Sequence, residues 1–461
     1  MRTGLLVLAL VTVSGVAQAQ APAGVPSSST TAALALPPPP PVSDPMLTPV
    51  PPAKHVLSTW PEAITYLRAR STDLKIAFDQ VLQAEAQTRI ALSQYLPSLT
   101  SNGVMTHQLI TSSGIYISSS GASNSTTTVY GTLQLQQTVV NVQQFDQISI
   151  DELNEDATKL SVDDKKRTLA LSLANQIVAV VTAERSAEIN RVGLKVALEQ
   201  LEITKRKQAL GAANGLDVVR AQQNAANARA TLVSGDESLI EAREALGLAL
   251  GLPEAIGVAP NLNIDGLAQS AMASCRTVNG VDDRPDIAAA RTNLDVAKRN
   301  LKNVYYQFLP TLNVQSTGQQ VSPAPAFGAP DPTWNIQAIL QMTWFDGGAR
   351  YGALRNARAA EDIAAQTLES LRRQAIIQIA QAQRQLEVAA VSDKVATEQR
   401  DLAAQNDLMT QTAYMAGQGT SLELVTASEA HRQAELNLAL ADFTVVKARI
   451  LAVLALATCP W

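Results

Sequence analysis

The sequence predicts a mainly α-helical chain with a transmembrane β-barrel portion. It is laid out as a tandem repeat of helix, β-hairpin, very long helix and returning helix. Three observations predict this. The stretch TDLKIAFDQVLQAEAQTRIALSQYLPSL from Thr72 is echoed by PDIAAARTNLDVAKRNLKNVYYQFLPTL from Pro285. In each half a short region changes from helical spacing to a two-residue period. Each half also carries a helical run too long to bury itself, so it needs neighbours along its length.

Met1-Arg2-Thr3-Gly4 is followed by an apolar run from Leu5 to Val13 and the small-residue site Ala17-Gln18-Ala19. Residues 1–19 therefore read as a secretory signal peptide. No Cys follows the site to accept a lipid. Residues 20–55, with Pro37 to Pro41, read as a Pro-rich flexible leader. The first repeat is expected over 56–253. It opens with one helix from Ser58, with Pro61 in its first turn, running to Leu96 and stopped by Pro97. A hairpin follows over about 98–142, where Val129, Gly131, Leu133 and Leu135 alternate with polar residues. Its turn is expected in Ser118–Asn124. From Gln143 to Leu210 there is no Pro and the single Gly193. That run predicts a helix of about 100 Å at ~1.5 Å per residue. Gly211-Ala212-Ala213-Asn214-Gly215 turns the chain, and a second helix returns to about Leu250. Residues 254–283 read as a connector. The second repeat is expected over 284–457, with its hairpin at about 311–346, before a tail at 458–461.

The repeat shows in matched residues: Asp73/Asp286, Ala77/Ala290, Ala84/Ala297, Gln94/Gln307, Pro97/Pro310 and Leu99/Leu312. Later, Gly211…Leu216-Asp217 matches Gly417…Leu422-Glu423. Two hairpins give four strands per chain. Four strands cannot close a barrel, since about eight is the smallest filled one. An open sheet edge is not tolerated in lipid. The chain must therefore oligomerise, and a wide pore favours three copies and twelve strands over two copies and eight.

The segment WNIQAILQMTW, Trp334 to Trp344, places Trp334, Ile336, Ala338, Leu340, Met342 and Trp344 on one parity. Asn335, Gln337, Gln341 and Thr343 fall on the other, with Ile339 the exception. Its ten steps at ~3.3 Å and ~45° tilt rise roughly 23 Å, near the ~25 Å apolar band of outer-membrane barrels with their aromatic girdles. Trp334 and Trp344 are thus candidate lipid-interface residues, and the polar parity is expected to face a water-filled lumen.

Other function classes find little support. Net charge is −5 and charged residues are 17%, so there is no basic footprint for nucleic acid. Aromatics are only 4%, which suits shallow helix–helix contacts better than a compact core. His55, His107 and His431 lack metal-ligand spacing, and no nucleophile elbow or phosphate loop appears. No enzyme, metal or cofactor is expected. A trimeric coiled-coil spacer or adhesin would explain the long helices and signal peptide, but not the duplicated hairpins. Cys275 and Cys459 could pair in an oxidising compartment or remain two unrelated thiols; the residues leave both open.

Arg284-Pro285-Asp286-Ile287, the Leu-Pro pairs ending at Pro97 and Pro310, Trp344-Phe345-Asp346-Gly347-Gly348 and the Gly-x-Gly…Leu-Glu-Leu-Val turn resemble the TolC-like outer-membrane efflux proteins. The resemblance covers roughly residues 55–457. It implies a homotrimer whose twelve-stranded barrel sits in outer-membrane lipid and continues into the periplasm as an α-helical barrel. It also implies a passive exit duct docking onto a periplasmic adaptor and an inner-membrane transporter. Small-molecule efflux and type I protein secretion share this plan. Gly211, Asn214, Gly417 and Gly419 would then mark adaptor-docking turns. Glu423, Asp217 and Thr426 would mark the periplasmic constriction, Thr426 standing where some relatives carry an acid. Read bare, Asp217 and Glu423 are equally first-turn carboxylates on a helix dipole, and the glycines are turn residues. On the family's plan the connector and tail lie together near the waist, which implies a Cys275–Cys459 disulfide.

Overall fold

The computed structural model describes residues 41–107, 127–260, 266–322 and 332–461. The signal peptide, the leader up to residue 40 and the Ser118–Asn124 turn lie outside the described residues.

The first described segment does not behave as the free leader expected for 20–55. A 3-10 turn, Pro45–Leu47, is capped by Asp44. Val42, Met46 and Leu47 pack against Leu194, Ala197, Ala225 and Leu232. Arg229 pairs with Asp44 at 2.8 Å, and Arg243 donates to the Pro51 carbonyl. Three apolar side chains and two arginines hold this strap against the helices behind it.

Strand β1 (His55–Leu57) and helix α1 (Trp60–Arg70) come next. The single helix expected up to Leu96 is broken. At Ser71, ψ swings to 117°, and the chain restarts as α2 (Thr72–Ser93). Ser71 serves both ends, its N–H donating to the Leu67 carbonyl and its hydroxyl accepting from the Leu74 N–H. One residue satisfies both helix ends, so no Gly or Pro marks the break.

Strands β2 (Ser98–His107) and β3 (Thr127–Val140) form the first hairpin. Helix α3 (Val142–Ala209) runs 68 residues and α4 (Gly215–Ala249) returns 35. The connector is more than a linker. Its β4 (Ile256–Val258) pairs in parallel with β1, α5 (Leu267–Ser274) packs on the core, and β5 (Arg276–Thr277) leads to a 3-10 turn, Val281–Asp283. The plan then runs again. Helix α6 (Pro285–Tyr306) matches α2 at 22 residues each. Strands β6 (Thr311–Ser322) and β7 (Thr333–Gln341) follow, then α7 (Ala349–Met415, 67 residues), α8 (Ser421–Leu454, 34 residues) and β8 (Ala457–Thr458).

The largest core gathers α1, the middle of α3, the connector and the ends of α4 and α8 around Leu67, Leu173, Ile177, Leu246 and Leu454. Cys275 and Cys459 are bonded inside it, where β5 pairs with β8. Arg284, only 3% exposed, grips Asp286 with two nitrogens and reaches Gln378 and the Ala455 carbonyl. That ties the start of the second repeat to α7 and to the end of α8.

Beyond this core the helices lie side by side. Near the strands the principal neighbours run α2–α3–α6–α7. Near the helix turns they run α4–α3–α8–α7. The sheet runs β2–β3–β6–β7. One margin of the chain is therefore β2, α2 and α4. The other is β7 and α7.

Candidate functional site: the sheet faces and the two helix turns

Register fixes which side chains share a face. Ser101, Leu133, Gly318 and Trp334 lie in one row across the four strands, and Leu99, Leu135, Ser316 and Ile336 in the next. On the opposite face, Thr100, Gln134, Thr317 and Asn335 form one row, and Ser98, Gln136, Gln315 and Gln337 another. One face is thus largely apolar and the other nearly all Gln, Asn, Ser and Thr. Along β3 the polar residues Thr132 and Gln134 are the better shielded, while Leu133 and Leu135 are exposed. That inverts the rule for a sheet in water, where the apolar face is covered. Ile339 lies on the polar face beside Asn313 and Thr138. It is 40% exposed, against 71% for Leu340. A Cβ on Gly318 would fall 2.7 Å from the Trp334 ring, so the glycine leaves the room that the indole covers.

The strand is shorter than its alternation suggests. It ends at Gln341, paired with Thr311, and Met342, Thr343 and Trp344 lie beyond it. Pro310, immediately before Thr311, has no N–H to offer a further ladder bond. The chain then turns through Gly347 (φ 68°) and Gly348 (φ 91°). Asp346 accepts from the Gly348 and Arg350 N–H groups and starts α7. Trp344 is exposed, but it stands on this turn and does not end the strand. Pro97 precedes β2 as Pro310 precedes β6, so both Leu-Pro pairs sit between a helix and a strand.

The two helix turns are built alike. Gly211 and Gly417 take φ of 74° and 76°. Their next residues, Ala212 and Gln418, donate back to the Lys207 and Ala413 carbonyls. This left-handed C-cap satisfies the last carbonyls of each long helix. Three residues on, Asn214 and Thr420 cap α4 and α8. Three further, Asp217 and Glu423 accept from the N–H of their own cap residue, closing a capping box in each turn. Gly419 has a different reason to be Gly: an added Cβ would stand 3.0 Å from the Tyr414 nitrogen. The Thr420 N–H, and then its hydroxyl, hold the Glu423 carboxyl below its ordinary value. The Thr426 hydroxyl donates to the Leu422 and Glu423 carbonyls of its own helix.

Sequence reading missed the polar links that tie one turn to the other. Lys207 on α3 donates to the Tyr414 carbonyl at 2.7 Å and lies 3.6 Å from that ring's centre. Burial pushes its ammonium below the usual lysine value. Further up, Gln200 donates to Ser428, whose hydroxyl donates to Asp407, and His431 contacts the same carboxylate. Higher again, Arg432 on α8 reaches Asn190 on α3. It passes the helix at Gly193, where an added Cβ would fall 2.4 Å from the Arg432 Cδ. The lone glycine in a 68-residue helix was the available signal. Gly costs about 1 kcal/mol in a helix, so its presence asks for a reason.

These features define a class: the wall of an outer-membrane channel, with a sheet turned inside out and long helices continuing from it. Solved channels share this fold. VceC from Vibrio cholerae superposes with a TM-score of 0.70 at 19% identity, covering 86% of this chain and 95% of that one. The Campylobacter jejuni outer membrane channel CmeC gives 0.72 at 15% identity, with 86% and 85% covered. The model of the family described as outer membrane efflux protein matches residues 63–252 and 281–455. The chain belongs to that family, and its place is the outer membrane of a Gram-negative envelope. Among characterised relatives, it is 23% identical over 300 residues to the probable efflux pump outer membrane protein TtgC of Pseudomonas putida. It is 24% identical over 320 residues to the fusaric acid resistance protein FusA of Burkholderia cepacia. The matches cover 63% and 66% of this chain and only 60% and 58% of those two proteins.

Proposed function

We propose that the chain forms a homotrimeric exit duct of a tripartite efflux system. It would be a passive conduit that docks through its helix turns onto a periplasmic adaptor and an inner-membrane transporter. The observation that carries this reading is the four-stranded sheet, β2–β3–β6–β7, apolar on one face and polar on the other, with both edge strands unpaired among the described residues. Lipid against the apolar face forbids open edges, so β7 of one copy must pair with β2 of the next. Three copies give a twelve-stranded barrel wide enough for water. The α-helical margins follow the same edges, which lets one rotation close both parts.

Pro97 and Pro310 then mark where helical barrel becomes membrane barrel. Trp334 lies within the lipid-facing parity and Trp344 at the strand-to-helix rim. Gly211, Asn214, Gly417 and Gly419 shape the turns offered to the adaptor. Asp217 and Glu423 would ring the narrow end while serving their caps, and such a ring draws cations. The names of TtgC and FusA support small-molecule efflux over protein secretion.

Purified protein added to a planar bilayer should give discrete, ohmic channel openings. Gln337→Arg, on the polar face, should change conductance while channels still form. A protein that gives no discrete pore would instead be an envelope spacer, and the duct reading would fail.

A further inference from the structure

The polar face of the sheet is polar without being charged. The rows through Ser98 and Thr100 are followed, further from the helices, by Asn102, Thr132, Gln319 and Thr333. Every side chain in these three complete rows is Ser, Thr, Asn or Gln, and one row sets Gln136, Gln315 and Gln337 side by side. The sequence has the same character over a much longer stretch. Between Arg89 and Asp146 it has no Asp, Glu, Lys or Arg. Between Lys302 and Asp346 it has Asp331 alone, which lies outside the described residues. His107 stands on the apolar parity, against Thr127. The charges that flank the sheet are paired or distant. Asp146 is 4% exposed and meets Arg299 at 2.7 Å, and Asp346 meets Arg350 at 2.7 Å. Arg89 and Lys302 each stand eight residues before Pro97 and Pro310, roughly 12 Å down the helix. That exceeds the ~10 Å over which an exposed charge is felt at about 0.1 M salt. The helix turns are the opposite case, with the Asp217 and Glu423 carboxylates in their first turns.

We infer that the membrane part of the duct is a charge-silent sleeve. It admits cationic and anionic solutes alike, so any selection by charge is made in the helical part. The inference rests on the duct reading for the existence of a lumen, and adds which solutes the exit end passes. Fixed charge of one sign along a cleft raises the local concentration of its counter-ion by about 10–10³-fold. Amides and hydroxyls both donate and accept hydrogen bonds, so a lining of them gathers neither sign. Cations drawn to the turns are therefore not retained at the exit, and anions meet no barrier there. The cargo that suits such an exit is a set of polar compounds of mixed charge rather than ions of one sign.

The experiment uses the full-length protein in detergent, whose two cysteines are bonded to each other and leave no free thiol. Gln315→Cys is labelled with two methanethiosulfonates of similar size, one carrying a trimethylammonium and the other a sulfonate, at about 0.1 M salt. Their rate ratio, divided by the same ratio for a small free thiol, should lie within about threefold of unity. Gln337 pairs with Gln315 across the strands. Adding Gln337→Lys should therefore move the ratio about fivefold towards the anionic reagent, and Gln337→Glu about fivefold towards the cationic one. A ratio further than about threefold from unity without either added charge overturns the sleeve, as does a ratio that neither charge moves. Both results leave the duct intact. The duct fails separately, if the unmodified protein gives no discrete pore in a planar bilayer.

Discussion

Helices α3 and α7 hold the same place in the two repeats and differ in length by one residue, 68 against 67. Their surroundings differ completely. Helix α3 touches α2, α4, α6 and α8 and buries Leu173, Ile177, Val178, Val180 and Leu194. Helix α7 touches chiefly α6 and α8, and its buried apolar residues are all Ala apart from Tyr414. Its Val side chains, with Ile363, Ile376, Ile377, Leu402 and Leu408, are exposed, while Leu354, Leu368, Leu371, Ile379 and Leu386 are half-buried. The lesson is that duplication fixed the elements while position in the row fixed their faces. The central copy became core. The marginal copy kept a narrow alanine stripe inward and exposed apolar side chains outward.

The comparison breaks most sharply at one leucine from each helix. Leu194→Ala in α3 should cost about 2–5 kcal/mol of chain stability through its cavity. Leu402→Ala in α7 should leave the fold of each chain unchanged and weaken trimers instead. Thermal unfolding beside sizing chromatography separates the two, and equal losses of chain stability would erase the distinction. Next in size is the covalent staple of the α3 side. Cys275→Ser should cost about 2–4 kcal/mol, because the bond closes a loop of 184 residues. The α7 margin takes no part in it, so trimers should still form after the change. Smaller again is the notch in α3. Gly193→Ala gains about 1 kcal/mol of helix propensity but displaces Arg432 from Asn190. It should be neutral or harmful alone and stabilising in an Arg432→Ala background, which a double-mutant cycle reads directly.

The smallest effect is the Glu423 cap. Its carboxyl is held below the ordinary value of 4.5, so the folded form keeps its proton off longer than the unfolded one. The cap's contribution is complete above 4.5 and fades as pH falls through the depressed value. Amide exchange at Thr420 should quicken in that acid window, with no change along α3.

Much of this was legible in the sequence because it is local or repeated. The duplicated Leu-Pro pairs, the Gly…Asn…Asp and Gly…Thr…Glu turns and the two-residue alternation each write their structure into neighbouring residues. What was illegible depends on partners far along the chain. Gln341 ends β7 because Pro310 ends the ladder opposite. Ser71 breaks a helix that its own sequence would continue. Val42, Met46 and Leu47 are too few to announce packing, and become half-buried only where α3 and α4 offer a groove. Lys207 and Tyr414 meet across two half-repeats, and neither reads as special alone.

The central claim is that one chain is a third of a closed wall. Native mass spectrometry of the detergent-released assembly counts copies directly. Three copies, and no larger or open-ended series, is the predicted result. A dimer of eight strands, a monomer that conducts, or a ladder of growing oligomers would contradict it.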